Sequence, residues 1–182
     1  MLALFASKPY DSDFKDRKNF FSHITNTFVQ AESESFNEDE LVHLFWDLCK
    51  NGDLDKANAS SFVTQSDLDH IYSQIKLITK DLFDAVSSQH ITFQAWQNCF
   101  EVFGLDFVVD SSLDVYLLEA NAYPDFKQTG SRLSGLVSRF FNNAVSRVLK
   151  TFVEPSLAIN KIPFAQDNAE LELVLEKTTF GN

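Results

Sequence analysis

The sequence predicts an α+β domain with a mostly antiparallel sheet flanked by helices. Three observations predict it. Two strand-like runs, FGLDFVV at 103–109 and VYLLEAN at 115–121, are separated by a short polar break. Two long stretches carry apolar residues every three or four positions, the period of a helix packed on one side. The order of elements is strand, helices, two strands, helix, strand, which lacks the regular βαβ alternation of a doubly wound sheet.

Taken in order, FFSHITNTFVQ at 20–30 is rich in β-branched and aromatic residues and predicts a strand. The acidic stretch AESESFNEDE follows, and Asn37 predicts the cap of a helix over EDELVHLFWDLCK, ending before Asn51-Gly52. Acidic residues suit that helix start, where the backbone dipole is positive. Residues 51–65 contain acids two apart, but the glycine precedes them and no glutamate closes the loop, so a calcium loop is excluded. Leu68, Ile71, Ile75, Ile78, Leu82 and Val86 predict a long helix over 66–86, and Phe93, Trp96 and Phe100 a short one over 92–100. A broad stripe from Leu133 to Leu149 predicts a further core-facing helix, and the alternating LELVLE at 171–176 a last strand.

The 182 residues are 45% hydrophobic and include 19 Phe, enough for one sizeable core. A formal net charge of −11 with only 15 Lys and Arg excludes a surface built to neutralise a phosphate backbone, so no direct contact with nucleic acid is expected. No apolar run approaches the roughly 18 residues of a membrane span, and MLALFASKPYDSD has no basic leader or cleavage site. A soluble, unsecreted protein with no membrane partner is expected. Cys49 and Cys99 sit in apolar company, as buried reduced thiols of a cytosolic protein do.

The strand pair holds three residues that a greasy strand should not: Asp106, Glu119 and Asn121. By parity Phe103, Leu105, Phe107 and Val109 share one face and Asp106 points the other way, while Val115, Leu117, Glu119 and Asn121 share a face. A four-residue loop at 111–114 would pair Asp110 with Val115 and bring Asp106 opposite Glu119. Opposed carboxylates weaken a sheet unless a positive charge lies between them. A magnesium ion would supply it, taking Asp106 and Glu119 as carboxylate ligands and Asn121 as a neutral third oxygen. Parity alone is also met by a solvated face with the charges apart in water, since a one-residue slip destroys the alignment.

The pattern F-E-x-F-G-x-D-F-x-x-D, a short turn, then L-L-E-x-N-x-x-P-D resembles the tubulin–tyrosine ligase family of ATP-grasp ligases. His23-Ile24-Thr25-Asn26 is similar to the family's H-L-T-N segment, and ASKPY at 6–10 to the segment before it. The resemblance implies the C-terminal half of an ATP-grasp domain, one partial domain over 1–182 with a helical insert at about 36–99. It implies ATP and Mg2+ as cofactors, with Asp106, Glu119 and Asn121 on the metal, His23, Thr25 and Asn26 on the nucleotide, and Leu118 near the adenine. Lys127 lies close enough after this cluster to reach a phosphate, or to be a solvated loop lysine. The family phosphorylates a protein carboxylate with ATP, and an amino acid's amine then displaces the phosphate.

Two departures bear on this expectation. The family's upstream half, with lysines and a glycine-rich loop over ATP, does not precede ASKPY. Leu4 stands where amino-acid ligases of the family have an arginine that clamps a substrate carboxylate, and leucine cannot make that bidentate pair. The alternative expectation is a catalytically degenerate ATP-grasp module acting as a protein-interaction platform. NAYPDFKQTG resembles fungal members of the family, one of them P-body-associated, which implies a protein substrate or partner and a cytoplasmic or P-body location. No serine or cysteine has a histidine partner in sequence, so no side chain is expected to act as a nucleophile.

Overall fold

A computed structural model describes residues 1–12, 19–34, 36–49, 63–89, 93, 96, 99–124, 126, 134–153 and 171–177. They fall into two compact units, one within Met1–His70 and one from Ile71 onward.

In the first unit, β1 (Leu2–Leu4) pairs antiparallel with β2 (Val42–Leu44), Leu4 lying opposite Val42. Flanking backbone bonds extend the pairing, from Phe5 N–H to Leu41 C=O at 2.9 Å and from Phe45 N–H to Met1 C=O at 3.2 Å. Asn37 caps a helix as expected, its side chain accepting from the Asp39 N–H at 3.1 Å. That helix, α2 (Glu38–Leu41), is a single turn instead of reaching 50. Val42 is fully buried and extended, and its pairing with β1 outweighs the helical period that follows.

The strand expected over 20–30 does not form. Residues Phe20–Ser22 make a 3₁₀ turn and Thr27–Gln30 make the one-turn helix α1. Two asparagines explain the difference, because local side-chain bonds compete with strand pairing. Asn19 accepts from the Ser22 hydroxyl at 2.6 Å, and Asn26 caps α1 by accepting from the Phe28 N–H at 2.9 Å.

The long helix α3 (Gln65–Ser87) matches its expected range, and Asp67 caps it by accepting from the Thr64 N–H at 2.8 Å and hydroxyl at 2.7 Å. In the second unit β3 (Gly104–Val109) and β4 (Val115–Asn121) form an antiparallel hairpin, followed by α4 (Ser134–Val153). The short helix expected at 92–100 falls mostly outside the described residues, and Cys99 and Phe100 at its end are not helical. Residues 51–62 and Lys127 also lie outside them.

Residues 171–177 join no sheet among the described residues. Their polar side chains are engaged by α3 instead. Glu172 accepts from Tyr72 Oη at 2.8 Å and Lys76 Nζ at 2.9 Å, and Lys177 pairs with Asp84 at 2.6 Å. Burial, and then Glu172, push the Tyr72 phenol up to about 12.

Among the described residues the buried apolar ones are Leu41, Val42, Phe45, Leu68, Ile71 and Val115. Much of the phenylalanine content goes into two ring clusters of the second unit, Phe83 with Phe93 and Phe103, and Phe126 with Phe140 and Phe141, at centroid distances of 4.9 to 6.3 Å. Cys49 and Cys99 are free thiols. Among the described residues no helix is long and apolar enough to cross a membrane.

Gly104, opposite Asn121 at the far end of the hairpin, leaves room for the chain beyond β4 to fold back. A Cβ at this position would stand 3.0 Å from the Pro124 Cβ. Gly104→Ala is therefore expected to destabilise the protein by about 1–3 kcal/mol, the cost of overpacking a close contact. Urea unfolding measures it, and an unchanged midpoint would show that the Pro124 segment yields without cost.

Candidate functional site

The hairpin is built around a change of register. Gly104, Leu105 and Asp106 lie opposite Asn121, Ala120 and Glu119, whereas Phe107, Val108 and Val109 lie opposite Leu117, Tyr116 and Val115. Leu118 is therefore an extra residue on β4, a β-bulge between the two halves of the ladder. This corrects the expected loop. Val109, not Asp110, pairs with Val115, and the bulge restores the alignment that sets Asp106 opposite Glu119.

The bulge also corrects the assignment of faces. Residues opposite each other in a ladder share a face, so Val115 and Leu117 lie with Val109 and Phe107, and Glu119 and Asn121 lie with Asp106 and Gly104. Val115 and Glu119 do not share a face, as unbroken parity would require. The side bearing Val115 is packed, with Val115 7% exposed, while Asp106 and Glu119 are open to solvent.

Two devices hold the root of this hairpin. Asp110 accepts from the N–H groups of Ser112 at 2.8 Å and Asp114 at 3.0 Å, folding the turn onto its own side chain. Leu113 sits at φ 67, a left-handed conformation that leucine rarely adopts. Gln74 of α3 secures both sides of that residue, its amide nitrogen donating to Leu113 C=O at 2.8 Å and its oxygen accepting from Val115 N–H at 3.2 Å.

On the open face Asn121 Nδ2 donates to Glu119 Oε1 at 3.0 Å, which leaves the Asn121 carbonyl oxygen available beside the carboxylate pair. Asp106 is held above the usual carboxylate range, first by partial shielding of its carboxyl and then by the hydrogen bond and charge of Glu119. Two opposed carboxylates resisting joint ionisation, with a neutral oxygen next to them, form a donor set suited to magnesium, which takes one or two carboxylates and keeps other positions for water and phosphate. Among the described residues no three His, Cys, Asp or Glu side chains gather as a metal site, so the amide oxygen is needed as third donor. Leu118, the bulge residue, is 65% exposed beside the carboxylates, a position open to a flat apolar ligand.

The expected nucleotide residues lie in the other unit. His23 is half-buried with its ring edge-on to Tyr10, centroids 5.3 Å apart, and Thr25 and Asn26 are exposed. The Asn26 side-chain oxygen is committed to the α1 cap, which leaves its amide N–H groups to face outward. The structure thus gathers Asp106, Glu119 and Asn121 in one unit and His23, Thr25 and Asn26 in the other.

Sequence reasoning missed Gln74 and Gly104 as supports of the site. Gln74 had a signal, a polar residue three positions after Ile71 and next to Ile75 on an otherwise apolar stripe. Gly104 had one in the Phe-Gly-x-Asp run. Neither says which backbone groups the residue must serve.

The tubulin-tyrosine ligase family profile matches residues 1–157. A probable tubulin–tyrosine ligase of Schizosaccharomyces pombe is 36% identical over 161 residues, covering 88% of this chain and 36% of the relative. A probable tubulin–tyrosine ligase of Saccharomyces cerevisiae is 38% identical over 152 residues, 80% of this chain and 18% of the relative. A probable alpha-tubulin polyglutamylase of Tetrahymena thermophila is 25% identical over 150 residues, 80% of this chain and 33% of the relative. The chain thus spans between 18% and 36% of the length of these relatives. No solved structure matches at a comparable level.

The carboxylate pair has a measurable signature without any metal. Because the folded Asp106 carboxyl titrates above its unfolded value, its contribution to stability is full below the ordinary aspartate range and is lost as pH rises through the raised value. Asp106→Asn should remove that loss and make the metal-free protein more stable at pH 7 by roughly 0.2–1 kcal/mol, the scale of a cross-strand charge pair. Asp84 and Glu172, held low by Lys177 and Lys76, give the opposite slope on acidification in both proteins. The difference between variant and parent in urea titrations at several pH values is therefore the readout, and a variant less stable at pH 7 would show that the carboxylates do not repel.

Proposed function

Because the chain belongs to the tubulin-tyrosine ligase family, we propose that it forms the metal-binding and part of the nucleotide-binding portion of an ATP- and magnesium-dependent ligase that joins an amino acid to a protein carboxylate. The observation that carries this reading is Asp106 directly opposite Glu119, with Asn121 hydrogen-bonded beside them on an open sheet face. Magnesium held there would neutralise charge on the ATP phosphates, the largest catalytic demand in phosphoryl transfer. The chain's own residues set the geometry: the bulge at Leu118 turns Glu119 and Asn121 to the side of Asp106, and the Asn121 amide holds the Glu119 carboxylate in one orientation. His23, Thr25 and Asn26 would meet the nucleotide, and Leu118 its base. The protein substrate and a cytoplasmic or P-body setting follow the same reading, the two free thiols supporting the cytoplasmic part of it.

A second reading, an ATP-grasp module that binds partners without ligating, is favoured by one residue. Leu4 ends β1 opposite Val42 at the position where the resemblance calls for an arginine. An aliphatic side chain gives an amino-acid carboxylate no partner.

In the full-length protein, ATP with magnesium at a hundredfold over Kd should stabilise by about 2.7 kcal/mol, read as a rise in Tm that Glu119→Gln abolishes. An unchanged Tm in the parent protein would sink the nucleotide reading. If the parent binds ATP but ligates no amino acid, transfer of a labelled amino acid by the Leu4→Arg protein decides between the readings, since its appearance would locate the lost step at the substrate clamp.

A further inference from the structure

Gln30 is a polar side chain with no exposure to solvent. It closes α1, and the turn of that helix carries it back beneath the chain that precedes it. Its amide nitrogen donates to Phe21 C=O at 3.3 Å and to Ile24 C=O, and its oxygen accepts from the Ser7 N–H at 3.1 Å. The carboxamide therefore bridges two separate segments, ASKPY at 6–10 and HITN at 23–26. A second bond ties ASKPY to the 3₁₀ turn just before HITN, from the Lys8 N–H to Phe21 C=O at 3.3 Å. Above this buried joint the polar residues face outward, Thr25 and Asn26 exposed and His23 half-buried against Tyr10.

We propose that Gln30 is a positioning residue for the nucleotide, fixing the backbone of residues 23–26 against residues 7–10 so that His23, Thr25 and Asn26 are in place before ATP arrives. The inference rests on the nucleotide reading above. The joint needs one acceptor and at least one donor on a single neutral side chain of this length. Glutamate supplies only acceptors when ionised, methionine supplies neither with comparable volume, and asparagine is one methylene shorter. The orientation of the carboxamide is dictated by its partners, an N–H on one side and two carbonyls on the other. Preformed backbone geometry matters because a ligand that must first order its own site binds more weakly by the ordering cost.

The test uses the full-length protein and its Gln30→Met and Gln30→Glu variants, each confirmed as folded by circular dichroism at the assay temperature. Calorimetry should show the Kd for ATP with magnesium raised at least tenfold in both, with Gln30→Glu the worse. The affinity for Mn2+ alone should be unchanged, because it uses the hairpin. A lower Tm with unaltered ATP affinity would mean that Gln30 only supports the fold and would overturn the proposal while leaving the nucleotide reading intact. Absence of ATP binding by the unmutated protein would remove that reading and this proposal together. If neither variant folds, amide exchange on the unmutated protein decides: the Ser7 N–H held by Gln30 should already exchange slowly without nucleotide, and protection that appears there only when ATP with magnesium is added would overturn the proposal.

Discussion

A backbone N–H or C=O taken away from water must find a partner, and where a chain turns too sharply for a helix or a sheet ladder, a side chain has to supply it. In each unit of this protein that requirement falls on a glutamine. Gln30 serves the backbone of Ser7, Phe21 and Ile24, and Gln74 serves Leu113 and Val115. Glutamine suits both places because one planar group donates and accepts at once, on a stem long enough to reach past its own helix. Leaving such groups unpaired costs about 1–3 kcal/mol each, comparable to burying an aliphatic side chain. With so few fully buried apolar residues among the described ones, these joints carry a correspondingly larger share of the local order.

The order they impose lies next to the residues that distinguish the chain chemically. Gln74 secures the turn, and the ladder that begins there carries Asp106 and Glu119 near its far end. The carboxylate pair is a locally unfavourable arrangement, with Asp106 forced up by its shielding and by its neighbour. Such arrangements persist where the rest of the fold over-determines them, and they concentrate at functional sites. The segment that the resemblance assigns to the nucleotide, residues 23–26, is joined to the ASKPY segment in the same manner, by a buried amide under an exposed polar edge.

What could be read in the sequence divides by the range of the interaction responsible. α3, α4 and the two strands of the hairpin were legible because each carries a strong period of its own over many residues. The opposition of Asp106 and Glu119 was legible from strand parity and a guess at the loop. The guess was wrong by one residue at the turn and right at the carboxylates because the bulge makes up the difference, so the agreement owes something to a feature that parity cannot contain. The strand expected at 20–30 failed because β propensity is a statement about neighbours, and Asn19 and Asn26 offered the backbone nearer partners. The helix expected to continue to 50 stopped at Leu41 because Val42 pairs with Leu4, a partner some forty residues away that no local window includes. LELVLE alternates as a strand should, but its Glu172 and the Lys177 that follows it are bonded to α3.

The bulge at Leu118 has one further consequence. A strand has only two faces, and residues of one parity on this one, Val115 and Leu117 at its beginning and Glu119 and Asn121 at its end, must fall on opposite faces. Twisting cannot reverse a strand within two residues. An inserted residue can, by shifting the phase of the alternation. Leu118 is the residue that the ladder sets aside: absorbing it as a bulge leaves Glu119 and Asn121 looking the way Asp106 does, and its identity decides only what they have for a neighbour. The position should tolerate exchange of one apolar residue for another and removal alike, since in a chain shorter by that one residue the pair Phe107–Leu117 would be followed directly by Asp106–Glu119 in an unbroken ladder that keeps both carboxylates on the open side.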